Sequence, residues 1–175
     1  RRNGTEIPFE MAKTCPICGS ALIRKETESA YYCHNPKCDA KHIEGLIHYA
    51  GRNAMNIEGF GDSITEDFYN MGYLKRVYDY YTLYKYKDEL MSLEGFGEKS
   101  IIKLLSSIEK SKENSLERLL FALGIRHVGA KTAKILAKHY QDIDSLMTAT
   151  YDELSKINDI GDIIAKSVVN YFKDE

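Results

Sequence analysis

Between Leu93 and Lys112 the apolar residues Ile101, Leu104, Leu105 and Ile108 recur at helical spacing among lysines, serines and glutamates. The sequence therefore predicts an amphipathic helix there. Just ahead lies Leu93-Glu94-Gly95-Phe96-Gly97, which predicts a tight turn into that helix, because glycine adopts positive φ without steric cost. The pattern occurs three more times. Ile57-Glu58-Gly59-Phe60-Gly61, Ile125-Arg126-His127-Val128-Gly129 and Ile157-Asn158-Asp159-Ile160-Gly161 each open a copy. The final glycines, Gly61, Gly97, Gly129 and Gly161, stand 36, 32 and 32 residues apart, room for a helix, a hairpin and a helix in each. The seventh and eighth residues after them are Phe68 and Tyr69, Leu104 and Leu105, Leu136 and Ala137, Val168 and Val169, one core-facing ridge repeated four times. We read four helix-hairpin-helix units, the first paired with the second and the third with the fourth.

The remaining pattern is helical as well. Leu46, Ile47, Ala50 and Met55 predict the first arm, and Ile64, Phe68 and Met71 its continuation past the turn. The tyrosine-rich stretch with Tyr78, Tyr80, Tyr81, Tyr84 and Tyr86 reads as packing between helices with hydroxyls at the rim, stacking on bases being the alternative. Asn114 with Glu117, and Thr150 with Glu153, read as helix starts with reciprocal caps. Residues 44–175 are thus expected to be all-α. Residues 1–12, with Gly4 and Pro8 and no helical period, read as a lead-in segment or the end of a preceding domain.

Residues 13–43 differ. Cys15-Pro16-Ile17-Cys18 and Cys33-His34-Asn35-Pro36-Lys37-Cys38 hold all four cysteines of the chain, in two close pairs fourteen residues apart. Two such knuckles complete a tetrahedron of thiolates around zinc, and four thiolates leave no open position, so the metal is expected to be structural. Disulfides and an iron–sulfur cluster are the rivals. No other feature signals an oxidising compartment, and cluster spacings usually differ. Ala21 to Arg24 and Ala30 to Tyr32 alternate, predicting a small hairpin between the knuckles. His34 and His42 read as surface residues.

Composition adds bounds. The 175 residues are 43 % hydrophobic and 29 % charged, ordinary for a globular chain. No apolar run is long enough to span a membrane, and no signal-peptide pattern opens the chain, which starts at Arg1 and reads as a piece of something longer. A net charge of −2 does not suggest a nucleic-acid binder, but the average hides an asymmetry. From Lys99 to Tyr140 nine Lys and Arg face three Glu, a local +6, whereas residues 1–98 carry twelve against fifteen and residues 141–175 three against eight. The basic part coincides with turns two and three.

A glycine turn feeding a helix leaves backbone amides facing outward, an arrangement suited to phosphate. Lys99 and Lys131, each two residues past a final glycine, would reinforce turns two and three. Ser63 and Ile163 hold the same position in turns one and four, and Asp159 and Asp162 make the fourth the weakest phosphate site. A single copy would read as a tight αα-corner. Four copies point to duplex nucleic acid held through phosphates on both strands of a minor groove, without reading sequence.

The order of parts, a Cys-x₂-Cys-x₁₄-Cys-x₄-Cys module followed by EGLIHYAGRNAMNIEGFG, LEGFGEKS and SLERLLFALGIRHVGAKTA, closely resembles the zinc-finger and helix-hairpin-helix region of bacterial NAD-dependent DNA ligases over about residues 4–175. The resemblance implies a structural zinc on Cys15, Cys18, Cys33 and Cys38. It also implies a minor-groove grip on nicked duplex DNA by Gly59, Phe60, Gly61, Gly95, Phe96, Gly97, Arg126, His127, Gly129 and Gly161, with Lys99, Lys131 and Lys134 adding charge. It implies that residues 1–12 end a preceding OB domain, that 13–43 are the finger and that 44–175 are the DNA-binding domain of a monomeric, cytoplasmic enzyme of replication and repair. The family's reaction passes AMP from NAD to a lysine, then to a 5′-phosphate, and seals the nick with magnesium. Its Lys-x-Asp-Gly motif is absent from this chain, so the piece is expected to be inactive alone.

Two rivals remain. VGAKTAKIL resembles the hairpin of DNA glycosylases, but eighteen residues beyond Lys131 stands Ala149 rather than an aspartate, and the cysteines precede the hairpin. A zinc-organised protein-interaction scaffold, or a nuclease accessory module, is the other; salt-dependent affinity for duplex DNA separates it.

Overall fold

The computed structural model describes residues 10–24 and 29–173. Most of the lead-in segment, and the tip of the expected cysteine-module hairpin, lie outside the described residues. The chain divides into two compact units, Arg1–His42 and Ile43–Glu175.

In the first unit, strands β1 (Leu22–Ile23) and β2 (Tyr32–Cys33) pair antiparallel, with Leu22 opposite Cys33 and Ile23 opposite Tyr32. This is the hairpin that the alternation predicts. Thr14 bridges to Ala21 before it. The first knuckle is a turn closed by Gly19 N–H to the Cys15 carbonyl and Cys15 N–H to the Ser20 carbonyl, both 2.8 Å, with Gly19 at φ +70°. In the second, the Lys37 amide donates to Asn35 Oδ1 at 3.0 Å, and Cys38 leads into helix α1 (Asp39–Ala50). His34 and His42 are exposed, as expected.

The second unit is helical among its described residues. After α1 come α2 (Asp62–Asn70), a 3₁₀ stretch (Val77–Tyr86), α3 (Lys87–Ser92) and α4 (Glu98–Ser111). Then follow α5 (Leu116–Ala122), α6 (Ala130–His139), α7 (Ile143–Met147), α8 (Tyr151–Ser155) and α9 (Asp162–Lys173). Two hydrophobic cores form. One gathers Leu46, Tyr49, Phe60, Phe68, Leu104 and Ile108 around turns one and two. The other gathers Leu120, Val128, Leu136, Leu154, Ile160 and Val168 around turns three and four. The repeated ridge is their spine, for Phe68, Leu136 and Val168 are fully buried and Leu104 nearly so.

Four details differ from the sequence reading. Helix α1 stops at Ala50, and Met55 reaches the core from a loop that folds back through Met55 N–H to the Tyr49 carbonyl and Ile57 N–H to the Ala50 carbonyl. Met71 caps α2 and is half exposed. Of the tyrosines, Tyr80 is fully buried and donates to the Leu46 carbonyl at 3.0 Å, whereas Tyr78, Tyr84 and Tyr86 face solvent. A 3₁₀ stretch has three residues per turn, so its inward positions fall at Tyr80 and Leu83. Asn114 does not start α5: Ser115 stands at its N-cap, and the Asn114 amide donates to the carbonyls of Met55 and of Ser111 at the end of α4. The other expected cap is present, with Thr150 and Glu153 bonded reciprocally at α8.

Candidate zinc site and nucleic-acid interface

The two knuckles bring the four Sγ atoms within 4.8 Å of one another. Cys15 and Cys38 are 3.9 Å apart and Cys18 and Cys33 3.5 Å. Four sulfurs bound tetrahedrally to zinc stand about 3.8 Å apart, a spacing close to that of this cluster. All four cysteines are free thiols, which removes the disulfide rival. Side-chain and backbone hydrogen bonds from Ser20 pull the Cys18 thiol down to about 5. At Cys33 the Asn35 backbone pulls down, but burial and the Cys18, Cys15 and Cys38 thiols push the group up to about 11. Binding zinc replaces the protons that such a cluster retains. With four protein ligands the ion has a structural role: it ties the two knuckles together.

The four glycine turns share one geometry. Each is closed by the fourth residue donating to the first carbonyl: Phe60 to Ile57 at 3.4 Å, Phe96 to Leu93 at 3.1 Å, Val128 to Ile125 at 2.9 Å and Ile160 to Ile157 at 3.0 Å. The third residue is left-handed every time, at φ +97° for Gly59, +85° for Gly95, +67° for His127 and +68° for Asp159. A type II turn requires that conformation there. His127 and Asp159 thus take the glycine conformation despite their Cβ atoms. The final glycines Gly61, Gly97 and Gly129 are extended, and each begins a helix that no side chain caps. The first amides of α2, α4 and α6 have no intrahelical acceptor, and Gly61, Gly97 and Gly129 beside them are exposed.

Lys99, Arg126, His127, Lys131 and Lys134 are all exposed near turns two and three. The rings of Phe60 and Phe96 pack inward. Phe60 is buried edge-on against Phe68 and Tyr80, with centroids 5.7 and 4.9 Å away, and Phe96 packs 5.3 Å from Phe68. Their amides already close the turns, and their rings anchor the hairpins. Turns one and two adjoin: a Cβ built on Gly59 would lie 2.5 Å from Leu104 Cδ2, and the Glu58 amide donates to Ser107 Oγ. A groove of about 160 Å³ between them is lined by Gly59, Ile64, Gly95, Phe96, Lys103 and Leu104. Turns three and four adjoin as well, for Lys131 Nζ lies 3.4 Å from Asp159 Oδ2.

Some basic residues counted in the charge asymmetry have internal tasks. Lys112 pairs with Glu109 at 2.7 Å. Arg118 donates to the carbonyls of Ala54 and Arg52, both at 2.7 Å. Sequence reasoning missed Arg118, because its acceptors lie more than sixty positions away.

Residues 14–40 match the NAD-dependent DNA ligase C4 zinc finger domain, and residues 118–175 match the helix-hairpin-helix motif. The chain is 51 % identical over 172 residues to a DNA ligase of Brevibacillus brevis, covering 98 % of this chain and 26 % of that protein. It is 53 % identical over 174 residues to a DNA ligase of Listeria innocua, covering 99 % and 26 %. A DNA ligase of Bacillus cereus is 50 % identical over 175 residues, 100 % of this chain and 26 % of the other. The class is a structural zinc finger followed by a helix-hairpin-helix region. The finger is that of the NAD-dependent DNA ligases, and the chain is homologous throughout to part of the bacterial DNA ligases. It spans about a quarter of the length of the curated relatives it matches.

Proposed function

We propose that this chain is the DNA-gripping portion of an NAD-dependent DNA ligase of the bacterial cytoplasm. It holds nicked duplex DNA, as a monomer, while the remainder of the enzyme performs the NAD- and magnesium-dependent sealing. All four turns are taken as helix-hairpin-helix motifs, within the boundaries 13–43 for the finger and 44–175 for the hairpin domain. The observation that carries the reading is three uncapped helix starts, opened by exposed Gly61, Gly97 and Gly129, behind turns of one geometry. Amides so presented bind phosphate oxygens and are indifferent to base sequence.

In this reading Gly59, Gly61, Gly95, Gly97 and Gly129 allow the close approach. Lys99, Arg126, Lys131 and Lys134 supply charge, and His127 and Gly161 lie at the edge of the contact. Phe60 and Phe96 act only through the turns they anchor. Cys15, Cys18, Cys33 and Cys38 hold the zinc. With no Lys-x-Asp-Gly lysine to accept AMP, the 175 residues alone do not ligate.

The test is a titration of the zinc-loaded chain against nicked and intact duplexes of unrelated sequence over a range of salt. Affinity that ignores sequence and falls with salt supports the reading. A Lys131→Ala variant should flatten the log–log salt slope by about one unit. No binding to either duplex at low salt would overturn it in favour of a protein-interaction scaffold.

A further inference from the structure

Two residues past the final glycine of each turn stand Ser63, Lys99, Lys131 and Ile163, all exposed. The fourth is unlike the others. Ile163 leaves 66 % of its surface to solvent, the largest fraction of any large apolar side chain among the described residues. Its hairpin is poorly equipped for phosphate. Asp159 is third in the turn and Asp162 opens α9. The Ile164 amide, one of the first in the helix, is already bonded to the Gly161 carbonyl at 3.0 Å.

Asp159 stands 3.4 Å from Lys131, with both side chains well exposed, so the tips of hairpins three and four are neighbours on one surface. A duplex seated on hairpin three therefore meets hairpin four as an aliphatic tip beside two carboxylates. Carboxylates avoid phosphates. An aliphatic side chain in a minor groove finds apolar surface on sugar carbons and at base steps, as minor-groove proteins exploit.

We infer that Ile163 is a DNA contact of a different kind from Lys99 and Lys131. It packs on the sugar carbons of the minor groove, and hairpin four adds affinity without neutralising a phosphate. This rests on the duplex-binding reading above and deepens it.

The zinc-loaded 175-residue chain is titrated against one nicked duplex over a range of salt, as the parent and as Ile163→Ala, Ile163→Lys and Lys99→Ala. Ile163→Ala is expected to weaken binding about three- to tenfold at every salt concentration with the slope unchanged, as loss of a partly buried aliphatic contact requires. Ile163→Lys should steepen the slope by about one unit, because it adds a phosphate contact. Lys99→Ala should flatten the slope by the same amount. If Lys99→Ala flattens the slope while both Ile163 variants bind as the parent does, the inference is overturned and the DNA reading stands. If the parent chain itself does not bind the duplex at low salt, the DNA reading falls and the inference with it. Because Ile163 is exposed, circular dichroism should find all variants folded.

Discussion

At the third position of the four turns, two glycines, a histidine and an aspartate share one left-handed conformation. That conformation costs a residue with a Cβ about 1–2 kcal/mol. Gly95→Ala, where a Cβ meets nothing within 4 Å, should therefore lose about that much stability in urea unfolding. Gly59→Ala should lose more, because Leu104 must also move. His127→Gly should leave stability unchanged or raise it. The turns themselves were legible from spacing, since glycine marks two of them outright. His127 and Asp159 were legible only as occupants of the same register, and His and Asp are among the side chains that tolerate this region best. Phe60 and Phe96 were legible as turn residues, but sequence does not tell the side to which a ring in a turn swings.

Among elements, the contrast between the two expected caps is instructive. Thr150 and Glu153 are neighbours along the chain, so their reciprocal bonds form locally. Asn114 is instead held by tertiary structure, its Nδ2 donating to the Met55 carbonyl fifty-nine positions away, and Ser115 takes the N-cap position of α5. Local chemistry proposes a cap, and tertiary demand decides. Thr150→Ala should cost about 1 kcal/mol in thermal or urea unfolding. The two capping carboxylates add a pH dependence. Backbone donation from Thr150 holds Glu153 below its usual range, and backbone donation from Ser145 does the same for Asp142. A carboxylate lowered in the folded state stabilises above its unfolded pKa, and that benefit fades as pH falls through the lowered value. Glu153→Gln should therefore lower the melting temperature at neutral pH, and the difference from the parent should shrink below about pH 4.

For the whole molecule, the finger and the helical unit rest on different forces. The first described strands are only two residues each, and Ile17 and Ile23 are exposed, so metal binding must supply most of the finger's folding energy. Cys33→Ser should abolish zinc binding, measured by metal analysis, and the backbone amide signals of residues 13–42 should collapse toward random-coil shifts. Retained zinc would contradict this. The four-cysteine spacing was sufficient to find that site, because ligand geometry is written in short segments. The order of the repeats was also enough to pair turn one with two and turn three with four, but not to find the contacts at Leu104 and Lys131, which depend on how the helices pack.

Arg118 clasps the carbonyls of Arg52 and Ala54 from α5, while Phe121 and Leu123 of the same segment pack against both hydrophobic cores. The two halves of the helical unit therefore cannot melt separately: losing either strips packing from the other. Calorimetry should record one cooperative transition for residues 43–175, and Arg118→Ala, which orphans two carbonyls, should broaden it toward two. In the proposed duplex-binding role, the two halves must keep their spacing under load, and this arginine is the rivet between them.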